Sequence, residues 1–222
     1  MKPIDQSPIL DIAAYLDAPD VLPSGKLCLE FANTADWHAA EQPIELITSY
    51  GDLVAWAQRV EMISAESAES LRKHAATQPA LAAQIHAWAI ELREAIYHIF
   101  VAHTEGELPD SVDLALFNEA LPRAYASPEL VATATGYSWH WRADEKGLDG
   151  ILWPILRSTA RLLTDGDLTR VGQCADDRGC GYLFYDTSRN RSRRWCDMNA
   201  CGNRAKSQRH YARHRNSAPE RT

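Results

Sequence analysis

The chain has 222 residues, 45% hydrophobic and 24% charged, with seven Trp, a composition that can bury enough apolar surface to offset chain entropy and that excludes a disordered or low-complexity protein. No stretch approaches the ~18–20 apolar residues of a membrane span, and Met1 to Asp11 has no continuous apolar run behind Lys2, so the expected location is the cytoplasm with no membrane partner. The net charge of −7 argues against a nucleic-acid partner for the chain as a whole, yet residues 170–215 hold 11 basic side chains against 4 acidic ones, a local balance of +7 that leaves −14 for the rest.

Taken in order, residues 1–20, with Pro3, Pro8 and Pro19, read as a lead-in, because each proline removes a backbone donor and restricts its predecessor. Helical pattern begins near Ser49. Helices are expected over Leu53–Val60, over Ala65–Ala75 with Ser64 as cap, and over Val112–Leu121 after Asp110 or Ser111. The clearest starts at Pro79 and places Leu81, Ile85, Trp88, Leu92, Ile96 and Ile99 on one stripe to be buried, with Gly106 as its stop. Between Glu129 and Arg142 the period changes to two, with Val131, Thr133, Thr135, Tyr137, Trp139 and Trp141 alternating, which predicts a short hairpin. A last helix is expected from Leu148 to Leu163, where Pro154 marks a kink or a late start. The predicted fold is α+β: a mostly helical domain over 21–168 with a short β-hairpin, then a small four-cysteine, zinc-ribbon-like module over 169–215 ending in a helix, then a tail over 216–222. The join at Asp165–Thr169 is so short that the two parts should move together.

The module carries Cys174-x5-Cys180 and Cys196-x4-Cys201, separated by 15 residues. Two thiol pairs on short loops around a strand-like stretch predict one structural Zn²⁺ per chain. A segment this short has little core of its own, whereas a structural zinc site contributes on the order of 10 kcal/mol of binding free energy to folding. Disulfides and unrelated free thiols are the competing readings; a catalytic zinc is disfavoured because four cysteines leave no open coordination position. Cys28 stands apart in an apolar context and reads as a buried core thiol. His210 and His214 read as surface or packing residues.

Basic residues surround the site: Arg189, Arg191, Arg193 and Arg194 lie between the cysteine pairs, and Arg204, Lys206, Arg209 and Arg213 follow the last one. A helix over Arg204–His214 would put Lys206, Arg209 and Arg213 on one face, the electrostatic footprint expected for a phosphate backbone. The bland reading is a solvated charge run, or arginines that neutralise the −2 of a zinc with four thiolates; about +5 still remains after that subtraction.

The run Cys196-Asp197-Met198-Asn199-Ala200-Cys201-Gly202-Asn203-Arg204, with Cys180-Gly181-Tyr182-Leu183-Phe184-Tyr185-Asp186-Thr187-Ser188-Arg189-Asn190 and Arg193-Arg194-Trp195-Cys196, resembles the CGNR zinc-finger family. Leu27-Cys28-Leu29-Glu30-Phe31-Ala32-Asn33-Thr34 resembles the opening of the ABATE domain that usually precedes this finger, so the resemblance covers nearly the whole chain. It implies a four-cysteine finger that binds DNA in a bacterial stress-responsive transcription regulator. Within the motif, Gly202 would permit a close turn at the metal, Asn203 would cap the following helix, and Arg204 would reach a phosphate or Asp186; Trp195 and Met198 would pack over the metal turn.

Three functional classes are carried forward. The first is a regulator that binds double-stranded DNA, its helical domain sensing a small-molecule effector or forming a homodimer. The second is an RNA-binding or ribosome-associated zinc ribbon, with Tyr182, Tyr185, Trp195 and Tyr211 as stacking residues. The third is an enzyme seated at Glu30, Asn33, Asp36 and His38, a polar cluster without a recognised nucleophile–base spacing; no enzymatic activity is expected.

Overall fold

The computed structural model describes residues 22–126, 128–133, 136–141 and 147–207. The lead-in over 1–20 and the tail over 216–222 lie outside them, as do Arg209, His210, Tyr211, Arg213 and His214.

The first helix, α1 (Leu27–Ala32), buries Leu27, Cys28, Leu29, Phe31 and Ala32. With five of its six residues buried and Glu30 alone partly exposed, this helix belongs at the centre of a core. It is followed by a two-residue ladder, β1 (Ala35–Asp36) against β2 (Ile44–Glu45), in antiparallel register. Helix α2 (Tyr50–Arg59) starts where the Ser49 hydroxyl accepts from the Asp52 amide, and α3 (Ala65–Thr77) starts where Ser64 accepts from Ser67. Each cap satisfies one of the amides that a helix start leaves without a partner.

The long helix α4 (Pro79–Glu105) begins at the expected proline and stops at Gly106, whose φ of 76° is the left-handed conformation that closes a helix. Asp110 caps α5 (Ser111–Ala124) through the Val112 amide. The hairpin forms as β3 (Pro128–Thr133) and β4 (Gly136–Trp141), paired from Pro128↔Trp141 to Thr133↔Gly136. After a 3₁₀ turn over Leu148–Leu152, α6 (Trp153–Thr164) has Pro154 in its first turn, so the proline marks a late start.

The α4 stripe is a partial correction. Leu92, Ile96 and Ile99 are buried, Ile85 and Trp88 are half-buried, and Leu81 is 37% exposed. At ~1.5 Å per residue α4 is about 40 Å long, and at its start the side facing the core is centred on Ala82 and Ala89, so Leu81 falls to the edge of it. Trp88 meets Trp153 edge-on at 5.8 Å, with the Arg123 guanidinium over its ring.

A second antiparallel pair, β5 (Val171–Gln173) and β6 (Leu183–Tyr185), belongs by sequence to the cysteine module. Val171 and Leu183 are nevertheless members of the same buried cluster as Phe31, Phe100, Leu92 and Ile155. The core therefore crosses the expected boundary at 168/169, and the ribbon forms one wall of the helical body.

Candidate metal centre and basic surface

Two turns bring the sulfurs together. Cys180 sits between Gly179 and Gly181, whose φ values of 95° and 66° lie in the region that favours glycine. A Cβ on either would come within 2.6 Å of Ala39 or Ala40 backbone, so the glycines also let the loop after β1 press directly on the turn. The strand pair fixes Cys174, whose amide donates to Tyr182 O at 2.9 Å. At the second pair the Asp197 carboxylate accepts from the Asn199 and Ala200 amides and starts a π-helical turn over Met198–Gly202. Asp197, not Asn203, is the cap; Asn203 lies past it and donates to Asn199 O. At Gly202 a Cβ would stand 2.8 Å from Met198 Sδ, the end of a flexible and half-exposed side chain that can move aside.

The four sulfurs of Cys174, Cys180, Cys196 and Cys201 all lie within 4.8 Å of one another, and none of these cysteines is disulfide-bonded. The Cys180–Cys196 and Cys196–Cys201 separations are 3.7 and 3.6 Å, close to the ~3.8 Å edge of a tetrahedron with Zn–S bonds of ~2.3 Å. The donor set and its shape fit a single structural zinc ion. Electrostatics agrees: the Cys174 thiolate is favoured by the Cys180 and Cys196 thiols, and those two are pushed up by it. Four thiolates cannot coexist at this spacing without a cation. Cys28 behaves differently, being fully buried with its thiol pushed up to about 11 by desolvation.

Around the sulfurs Trp37, Tyr182 and Trp195 supply the apolar packing, while Met198 remains 46% exposed. Arg204 Nη2 lies 2.9 Å from Cys201 Sγ. Its Nε lies 3.4 Å from Asp176, a buried carboxylate that Arg178 also pairs at 2.8 Å. The Arg178 hydrogen bonds, opposed by burial, hold the Asp176 carboxyl well below the usual range. The expected Arg204–Asp186 contact does not form, because Asp186 accepts instead from the Ser188 and Arg193 amides.

The polar cluster of the helical domain turns out to be the seat for this module. Asn33 Nδ2 donates to Leu183 O and Asn33 Oδ1 accepts from Leu183 N, both at 2.8 Å. Glu30 accepts from Ser24 N and from the Tyr182 hydroxyl, and Asp36 accepts from Trp37 N. The His38 amide donates to Cys180 O, while its ring stacks on Tyr97 at 3.5 Å and contacts Glu94 at 2.9 Å. Tyr97 donates to Gly181 O and accepts from Gln173. Glu30, Asn33, His38 and Tyr97 thus join two parts of the fold, whereas the Asp36 carboxylate bonds its neighbour. Of the stacking residues named for RNA, the three that are described are likewise engaged: Tyr182 and Trp195 pack at the metal, and Tyr185 packs on the body core beneath the Lys26 ammonium.

The basic residues divide into three groups. Arg193 lies over the Phe184 ring and donates to Trp195 O and Cys196 O, and Arg204, with 39% of its side chain exposed, is engaged at Cys201 and Asp176. Arg191 is exposed but paired with Asp167 at 3.0 Å. Arg189, Arg194 and Lys206 are exposed, Arg194 with its guanidinium 5.2 Å from the Trp195 ring. Residues 203–207 are helical, so Lys206 occupies the start of the expected terminal helix.

Comparison with known proteins agrees with the motifs. The ABATE family model, described as "Putative stress-induced transcription regulator", matches residues 25–166. The CGNR zinc finger model matches residues 170–214. No curated protein matches the chain.

Proposed function

The chain belongs to the ABATE family and carries a CGNR zinc finger, and from this premise we propose that it is a transcription regulator whose finger binds double-stranded DNA. The observation that carries the reading is charge segregation: the +7 segment holds the metal, while the remaining −14 is repelled from a polyanion and orients the approach. Arg189, Arg194 and Lys206 supply exposed cations on the finger, Arg191 joins them once Asp167 is displaced, and Arg209 and Arg213 extend the basic run. One finger presents a surface near the ~600–1,000 Å² of a single module, so useful specificity calls for a homodimer on paired half-sites. In this reading the helical domain supplies that dimer or senses a small effector.

The test is a salt titration of the full chain on duplex DNA and on structured and single-stranded RNA. About four to six phosphate contacts give a slope of log affinity against log salt of about −4 to −5. Arg194→Ala should weaken binding to all duplexes alike and flatten that slope by about one. No binding to DNA at low salt, or tighter binding to RNA, removes the reading and leaves the zinc site standing.

A further inference from the structure

We propose that Arg204 is a positioning residue that grips a zinc thiolate and the helical body at once, and is not a phosphate contact. Three contacts converge on one guanidinium: Nη2 stands 2.9 Å from Cys201 Sγ, Nε stands 3.4 Å from Asp176 as an ion pair without a hydrogen bond, and the group lies 5.3 Å from the centre of the Trp37 ring. Trp37 belongs to the loop after β1, and Arg178 stands 5.2 Å from the same ring. Its backbone φ of 54° is a left-handed value that a bulky side chain adopts only where its surroundings fix it. Asp176, with 3% of its side chain exposed, sits between the two arginines.

The chemistry favours this arrangement over a nucleic-acid contact. A zinc ion with four thiolates carries −2, and an N–H donor to sulfur spreads that charge and holds the ligand in place. Arginine can do so while its Nε faces a carboxylate, because its donors form a rigid planar fork; a lysine ammonium is a single point and cannot span both. A guanidinium engaged by a thiolate and a buried carboxylate contributes little net positive field outward. The inference rests on the metal site and not on the DNA reading.

The experiment loads the full chain with Co²⁺ in place of zinc and follows the thiolate-to-metal charge-transfer band and the metal affinity by competition with a chelator. Arg204→Gln should shift the band and lower metal affinity about 10–100-fold, the usual cost of losing an outer partner of a metal ligand. Arg204→Lys should recover little of this loss. Trp37→Ala, on the helical body and itself no ligand although its ring packs against the cysteines, should lower affinity about 3–10-fold through the lost packing and cation–π contacts, and it keeps the test open if the Arg204 variants do not fold. None of these changes should flatten the salt slope on DNA. Unchanged metal affinity in Arg204→Gln and Trp37→Ala, full rescue by lysine, or a slope flatter by about one in Arg204→Gln overturns the proposal; the metal measurements decide it even where the chain does not bind DNA.

Discussion

The two cysteine pairs of one zinc site are held by different means. Cys174 and Cys180 ride on a ribbon that shares the body's core through Val171 and Leu183 and is pinned by Asn33, Tyr97 and the His38 amide. Cys196 and Cys201 lie on a segment whose described hydrogen bonds are mostly local, to Asp197, Asp186 and the Trp195 carbonyl. Its ties back include Ala175 N to Arg194 O, the sulfurs themselves, Arg191 on Asp167, Arg193 over Phe184, and Arg204 on Asp176 and Trp37, all made by side chains or single bonds rather than by a shared core. The contacts lead us to expect the metal to act as a strut between a half that the body holds and a half that depends on the ion. The finger, read from sequence as a small module with little core of its own, is in space half body and half appendage.

The largest expected effect breaks the dependent half. Cys201→Ser removes one of four ligands from a site worth on the order of 10 kcal/mol of binding free energy. Elemental analysis should show metal content falling well below one per chain, and amide exchange should show protection lost over residues 186–207 but kept over 171–185. Loss of protection across both ranges would mean that the metal, and not the body, folds the ribbon. A smaller effect strikes the other half: Asn33→Ala leaves the buried Leu183 N–H and C=O without partners, a loss of about 3 kcal/mol. Urea unfolding should show that loss in the same transition as the helical body, with zinc content unchanged. A change below about 1 kcal/mol would mean that the ribbon's seat is held by apolar packing alone.

Local chemistry was legible in the chain: Ser64, Asp110, Pro79 and Gly106 act where their residue types predict, and four closely spaced cysteines enclose one site. What escaped is whatever depends on distant partners. Helix α1 gives no amphipathic period because all its sides are covered. Asn33 and Leu183 are 150 residues apart, and no spacing rule connects them. Arg93 sits buried in α4, and its charge there is balanced by its neighbour Glu94 together with the distant Glu45, which no spacing rule connects to it. For the same reason the basic residues could be counted but not sorted: Arg193 and Arg204 look like Arg189 and Arg194 until Asp186, Asp176 and Trp37 are placed in space.

The smallest effect sharpens the comparison from the body's side, at the carboxylate beneath the first cysteine pair. Glu94 supports His38, which stacks on Tyr97, whose hydroxyl holds Gly181 O beside Cys180. Arg93 donates to Glu94 and also makes a two-point contact with Glu45, each oxygen at 2.7 Å. Partial burial raises the Glu94 pKa, but the hydrogen bonds from His38 and Arg93 outweigh it and carry the value from an ordinary 4.5 down to about 2. A carboxyl depressed in the folded state stabilises fully above its unfolded value, and that contribution disappears as pH falls through the folded one. The parent should therefore lose stability relative to Glu94→Gln between about pH 4.5 and 2, the two curves converging at the acid end. Thiolate protonation and zinc release act on both proteins, so the difference between the curves isolates Glu94. Because 35% of the Glu94 side chain remains in water, screening reduces the gap at neutral pH to on the order of 1 kcal/mol. Parallel curves across that window would mean that the Glu94–His38 contact adds nothing to the seat of the first cysteine pair, leaving Asn33 and the shared core to hold it.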